Sequence, residues 1–249
     1  MSKTSKMGAK AFMRWVGTVA IGIAVGMVGC GGDDNPGGGG GNGTGGNGGG
    51  GGHGFFNPNI NYGSFTDSRD GKTYRTVQIG TQTWMAENLN FNASGSVCYN
   101  NSPDSCAKYG RLYDWETVMN GASSSSSSPS GVQGICPVGW HVPSDAEWET
   151  LVNFAGGSST AGTQLKSTTG WNTNSGHVPG TDSFGFSALP GGFGYGSNFG
   201  SVGSRGYWWS ATENGAAGAR YRVMYWDDSG VNTFWVSKAS LNSVRCLQD

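Results

Sequence analysis

Apolar and polar positions alternate or recur along this chain with periods that predict its elements. Residues Thr73 to Ile79 are rich in Thr, Tyr, Val and Ile, and Gly80-Thr81 leads into Gln82-Thr83-Trp84-Met85. This pattern predicts a β-hairpin, with Asp70-Gly71 as the turn that precedes it. Between Arg111 and Met119, Leu112, Trp115, Val118 and Met119 fall at helical spacing, and Asn120-Gly121 ends the run. A second helix is predicted from Ser144. Trp148, Leu151, Val152 and Ala155 form one apolar stripe, Ser144 and Glu147 form a capping box, and Gly156-Gly157 stops the helix. Asp145, Glu147 and Glu149 lie at the positive end of its dipole, which explains them without a catalytic role.

Residues 170 to 206 show little periodicity. Their Gly191-Gly192-Phe193-Gly194-Tyr195-Gly196 lacks the Lys-Ser/Thr and the βαβ setting of a phosphate loop. Beyond them, Tyr207 to Thr212, Arg220 to Trp226, Val231 to Val236 and Leu241 to Leu247 are predicted strands. Asp227-Asp228-Ser229-Gly230 joins the middle two. A four-residue loop sets Trp226 opposite Val231, Met224 opposite Thr233 and Arg222 opposite Trp235. Tyr225, Val223 and Tyr221 then face Asn232, Phe234 and Val236 and are expected to be core. Arg220, Arg222, Trp226 and Trp235 are left on a partly exposed face as the expected ligand-binding residues, and a slip of one residue would invert the faces.

The N-terminus has a different pattern. Lys3, Lys6, Lys10 and Arg14 precede an apolar run from Trp15 to Val28, then Gly29-Cys30. A basic start, an apolar core too short to span a bilayer and small residues before a cysteine describe a lipoprotein signal. Residues 1–29 are expected to be removed and Cys30 lipidated, with the membrane as partner through that anchor. Residues 31–54 hold sixteen glycines and are expected to form a flexible tether, with one folded domain over 55–249. Asp33 and Asp34 beside the cysteine favour outer-membrane, cell-surface display.

Composition narrows the function. A net charge of −1 without a basic block argues against nucleic acid as partner. Nine of the ten tryptophans lie in the predicted domain. Once Cys30 is acylated, Cys98, Cys106, Cys136 and Cys246 remain. In an exported chain they favour two disulfides, with three pairings open. No Cys-x-x-Cys exists and the histidines are scattered, so no metal and no cofactor is expected. His141, beside Trp140 and just before a helix cap, is expected to play a structural hydrogen-bonding role. The serine tract Ser123 to Ser130 is read as a solvated loop.

Five segments, in order, resemble the Fibrobacter succinogenes major paralogous domain of bacterial surface proteins. They are Asp70-Gly71-Lys72-Thr73-Tyr74; Gln78-Ile79-Gly80 through Trp84-Met85-Ala86-Glu87-Asn88-Leu89; Cys136-Pro137-Val138-Gly139-Trp140-His141-Val142-Pro143-Ser144 through Glu147-Trp148; Trp209-Ser210-Ala211-Thr212; and Ser243-Val244-Arg245-Cys246. The resemblance implies an α+β, C-type-lectin-like fold with a twisted antiparallel sheet, about two helices and long irregular loops. It implies a Cys136–Cys246 disulfide, and Cys98–Cys106 would then close a local loop. The Glu-Pro-Asn and Trp-Asn-Asp calcium motifs of true C-type lectins are absent, and Asp227 and Asp228 are assigned to the hairpin turn. The expected function is non-catalytic binding or adhesion, with glycan or plant polysaccharide as ligand. The alternatives are a structural surface protein contacting other envelope components, or an enzyme like the formylglycine-generating oxidases, whose reactive cysteines disulfides would consume.

Overall fold

The computed structural model describes residues 54–249; Cys30, the signal segment and the tether lie outside them. Strands β1 (Gly63–Thr66), β2 (Thr73–Ile79) and β3 (Gln82–Met85) form an antiparallel meander. The chain continues through α1 (Pro103–Tyr109), α2 (Trp115–Met119), β4 (Trp140–His141), α3 (Asp145–Phe154) and α4 (Ala161–Leu165). Next come β5 (Phe193–Tyr195), β6 (Asn198–Gly200), β7 (Arg205–Glu213), β8 (Gly218–Tyr225) and β9 (Asn232–Ser237). The short strands β10 (Ser240–Leu241) and β11 (Leu247–Gln248) end the order. Among the described residues the strands make three sheets, ordered β1-β2-β3-β11-β4, β10-β5-β6 and β7-β8-β9, and neighbouring strands within each sheet pair antiparallel. The architecture is α+β.

Period-two alternation explains how the sheets sit in the interior. In β3, Trp84 enters one hydrophobic cluster and the next residue, Met85, enters another; in β7, Trp208 and Trp209 divide in the same way. Both strands are therefore covered on both faces. The predicted stripe of α3 packs as expected, with Trp148, Leu151, Val152 and Ala155 all beside Trp84, Trp208 and Phe186. The Trp84 and Trp148 rings lie 4.8 Å apart. Buried indoles keep partners: Trp148 Nε1 donates to the Trp209 carbonyl at 3.2 Å, and Trp209 Nε1 to that of Tyr113 at 2.8 Å. The capping box at Ser144 is complete, since Glu147 N–H donates to Ser144 Oγ and Ser144 N–H to Glu147 Oε2. Both disulfides are present, Cys98–Cys106 and Cys136–Cys246.

Three local expectations are corrected. Helix α1 was not foreseen, although Ser102-Pro103 starts it, because its seven residues bury only Cys106 and show no apolar stripe. The helix expected over 111–119 begins only at Trp115, where the Asp114 carboxylate accepts the Thr117 N–H at 2.7 Å. Leu112 and Tyr113 instead bridge to Val97 and Asn242, so tertiary pairing overrides helical spacing. The strand expected over 241–247 is divided between β10 and β11, with Trp208 bridging Ser243 between them.

Candidate functional site

The β7-β8-β9 sheet brings together most of the aromatic and cationic side chains that the sequence singles out. Its observed register pairs Arg220 with Trp235, Tyr221 with Phe234, Arg222 with Thr233 and Val223 with Asn232. This differs by two residues from the expected register, so each face keeps its residues but their cross-strand partners change. The cause lies at the loop. Trp226 N–H donates to the Ser204 carbonyl, the Trp226 carbonyl accepts from Val178, and Val231 N–H donates to the Ser158 carbonyl. With those groups bound to other loops, they cannot close a four-residue hairpin. Asp228 serves the widened turn as expected, its carboxylate accepting from the Gly230 N–H and the Asn232 amide.

One face carries Trp208, Arg222, Met224 and, toward its rim, Arg220 and Trp235. Helix α3 closes much of it. Arg222 is 1% exposed: Nη1 donates to Asp145 Oδ1 at 2.6 Å and to Thr233 Oγ1, and Nη2 to the Asp145 carbonyl at 2.9 Å. Glu149 adds a carboxylate at 3.5 Å. Burial pulls the Arg222 pKa below its usual value, while Asp145 and Glu149 oppose that shift. Arg222 is thus a strut between α3 and β8 and is removed from the expected ligand-binding set. Its partner Asp145 lies 77 residues earlier, which no pattern local to β8 reveals.

The other expected residues do not form one site either. Trp226 is half-buried and stacks on His177 with centroids 6.5 Å apart. Arg220 stands 3.8 Å from Asp145, at the edge of the Arg222 cluster. Trp235 is 63% exposed. His141 makes the hydrogen bonds expected of it: Nε2 lies 2.8 Å from Glu147 Oε1, and Nδ1 2.7 Å from Asp249 Oδ1.

The opposite face, expected to be core, is core in part: Val223 is fully buried, as expected. Trp209 and Ala219 are fully buried there, whereas Phe234 is 49% exposed and Tyr221 and Tyr225 are half-buried. Rings run across it in a band: Phe193 to Tyr207 at 5.3 Å, Tyr207 to Tyr221 at 5.7 Å, and Tyr221 to Phe234 at 6.3 Å. Arg205 lies 4.9 Å over the Tyr225 ring and donates to the Tyr207 hydroxyl at 3.4 Å. Burial pushes the Tyr221 phenol up to about 12 and raises that of Tyr225, so both stay neutral near pH 7 and can donate as well as accept. Tyr207, Tyr221 and Tyr225 alternate on one face in the sequence, and that signal was available.

The segments that carry the family resemblance lie mostly elsewhere, in the interior. Asn88 Oδ1 accepts from Trp208 Nε1 at 2.8 Å and from Arg245 Nη2 at 2.9 Å, and its amide donates to the Tyr109 carbonyl at 2.8 Å. Trp84, Cys136, Trp140, His141, Ser144, Trp148, Trp209, Val244 and Cys246 are also buried. These motifs therefore encode scaffold and leave the aromatic band outside them, apart from the buried Trp209 at its base. Residues 77–248 match the family model of the Fibrobacter succinogenes major domain, which takes in every resembling segment except Asp70 to Tyr74. No curated protein and no solved structure matches the chain.

Proposed function

The chain belongs to the Fibrobacter succinogenes major domain family, and from that premise we propose that it is a lipid-anchored cell-surface protein whose folded unit is a non-catalytic saccharide-binding module. The aromatic band across β7, β8 and β9 carries this reading. The half-buried Tyr221 and the more exposed Phe234 leave ring area open to stack on the C–H faces of pyranoses, while Tyr207 is buried beside them. The Tyr221 and Tyr225 hydroxyls, the Arg205 guanidinium and the half-buried Asn232 amide lie on the same face and can serve sugar hydroxyls. The rings of the band are uncharged, and the Asp228 carboxylate at its rim is held by the Gly230 N–H and the Asn232 amide, which suits a neutral plant polysaccharide. Catalysis by a cysteine is disfavoured because Cys98, Cys106, Cys136 and Cys246 are all consumed in disulfides. The basic, apolar and small-residue order ending at Cys30 supports the anchor.

Titration of the full chain with soluble β-glucan, xylan and their oligosaccharides tests the binding role. At least one should bind, and Tyr221→Ala should weaken it about tenfold, the loss of roughly 1.4 kcal/mol of stacking. Arg222→Ala should instead lower stability, through the α3 strut. Absence of binding to the whole panel, or native affinity in Tyr221→Ala, overturns the assignment. Intact mass separates the anchor: the native chain should carry lipid on Cys30 and Cys30→Ser should not.

A further inference from the structure

We propose that β9 is a docking edge for the β9 strand of a second copy of this chain, the two sheets joining antiparallel into one of six strands. Among the described residues β9 pairs with β8 alone, so alternate N–H and C=O groups along its outer side have no strand to meet. Soluble proteins protect such edges with Lys, Pro, bulges or a covering loop. Asn232-Thr233-Phe234-Trp235-Val236-Ser237 has no charge and no proline, and it pairs with β8 without a bulge. It also exposes one large ring on each face, Phe234 at 49% and Trp235 at 63%. A row of unpaired peptide groups specifies its occupant more narrowly than an apolar patch does: only an extended strand meets every group in register.

The strand fits itself. A two-fold axis perpendicular to the sheet keeps each face with its own kind, so both Phe234 rings fall on one face and both Trp235 rings on the other. No charge within β9 opposes this. Asp227 and Asp228 precede the strand and Lys238, which also bonds Glu213 at 2.9 Å, follows it. Antiparallel pairing sets Asp227 and Asp228 of one copy toward the Lys238–Glu213 pair of the other, whereas parallel pairing sets the aspartates of both copies side by side. The contact is small, below the ~1,200 Å² of a standard interface, so the dimer is weak and reversible. Confinement to a surface raises the effective concentration and with it the paired fraction. If the saccharide reading holds, on which this one extension rests, pairing joins two aromatic bands into a continuous face for a polymeric ligand.

Sedimentation equilibrium of the full chain in mild detergent, over a concentration series without saccharide, tests the pairing. The native chain should double in mass reversibly. Trp235→Lys should stay monomeric with an unchanged thermal midpoint, and Phe234→Lys is the second variant should the first fail to fold. A native chain that remains monomeric throughout, or a folded lysine variant that pairs as the native chain does, overturns the proposal. A separate titration distinguishes the functional reading. Trp235→Lys, altered on the face away from the band, should bind a short oligosaccharide with native affinity and a long polysaccharide several-fold more weakly. Absence of oligosaccharide binding by the native chain sinks the saccharide reading and leaves the sedimentation result standing.

Discussion

At the scale of the residue, Lys166 enters the interior with three backbone carbonyls at its ammonium in place of a carboxylate. Nζ donates to Val178, Tyr225 and Asp228 carbonyls at 2.8, 2.9 and 2.8 Å, tying the 178 loop to both sides of the β8–β9 turn. Burial lowers its pKa to about 8, with Asp228 and Asp227 opposing the shift. Lys166→Met removes three charge-assisted bonds and leaves three carbonyls without a donor. The expected cost is about 3 kcal/mol, roughly 6–12 °C in thermal midpoint for a unit of this size, read from a melting curve. Arg245 is another buried cation. Its guanidinium sits 4.3 Å over the Phe186 ring and donates to Asn88 Oδ1 and the Phe186 carbonyl, and burial brings its pKa down to about 9. Asn88→Ala strips that cation of its side-chain acceptor, and a loss of about 3–5 kcal/mol is expected by denaturant titration. Neither partnership was legible in the sequence. A lysine and an arginine inside polar-looking segments have the composition of surface residues, and their acceptors, mostly backbone carbonyls, leave no residue-type signature.

Between elements, His141 joins β4 to α3 and to the end of β11. A neutral imidazole donates one hydrogen bond, yet both ring nitrogens lie within 2.8 Å of carboxylates, which only accept. Burial alone would lower the His141 pKa, but the bonds to Glu147 and Asp249 outweigh it and hold it above its usual value. The sign follows. This clasp contributes fully below the ordinary histidine pKa of about 6.5 and is lost as pH rises through the higher folded value. Asp182 adds a second window. Burial lifts it from 3.8 to about 6 against two bonds from Ser187, so the fold holds a proton that the unfolded chain has released, and stability falls as pH rises from about 4 to 6. A pH series of calorimetric melts should show both declines. His141→Gln should flatten the one above pH 6.5 and Asp182→Asn the one below 6; a His141→Gln profile that still falls above 6.5 would contradict the clasp. Legibility differs sharply among the elements themselves. Helix α3 and the β2–β3 hairpin were readable because cap, stripe and turn are local. The β8–β9 register was not, because Ser204, Val178 and Ser158, distant in sequence, decide how wide the loop opens.

Across the whole molecule, the Cys136–Cys246 bridge spans 110 residues and ties the segment before β4 to the approach to β11. On the chain-entropy account, Cys136→Ala with Cys246→Ala should cost up to ~4–5 kcal/mol, and Cys98→Ala with Cys106→Ala roughly 2–3. Chemical denaturation of the two double variants ranks them, and equal losses would argue against that account. β11 itself has a consequence in time. It lies between β3 and β4 in the sheet, yet it follows β3 by more than 150 residues of chain. A polypeptide is made and moved amino end first, so the middle of this sheet stays vacant until Leu247 has emerged. β1, β2 and β3 can pair among themselves, but a product arrested before β11 leaves them without the strand that joins them to β4. For a chain bound for export, as proposed above, late closure means that this sheet is still open when the translocation machinery receives the chain.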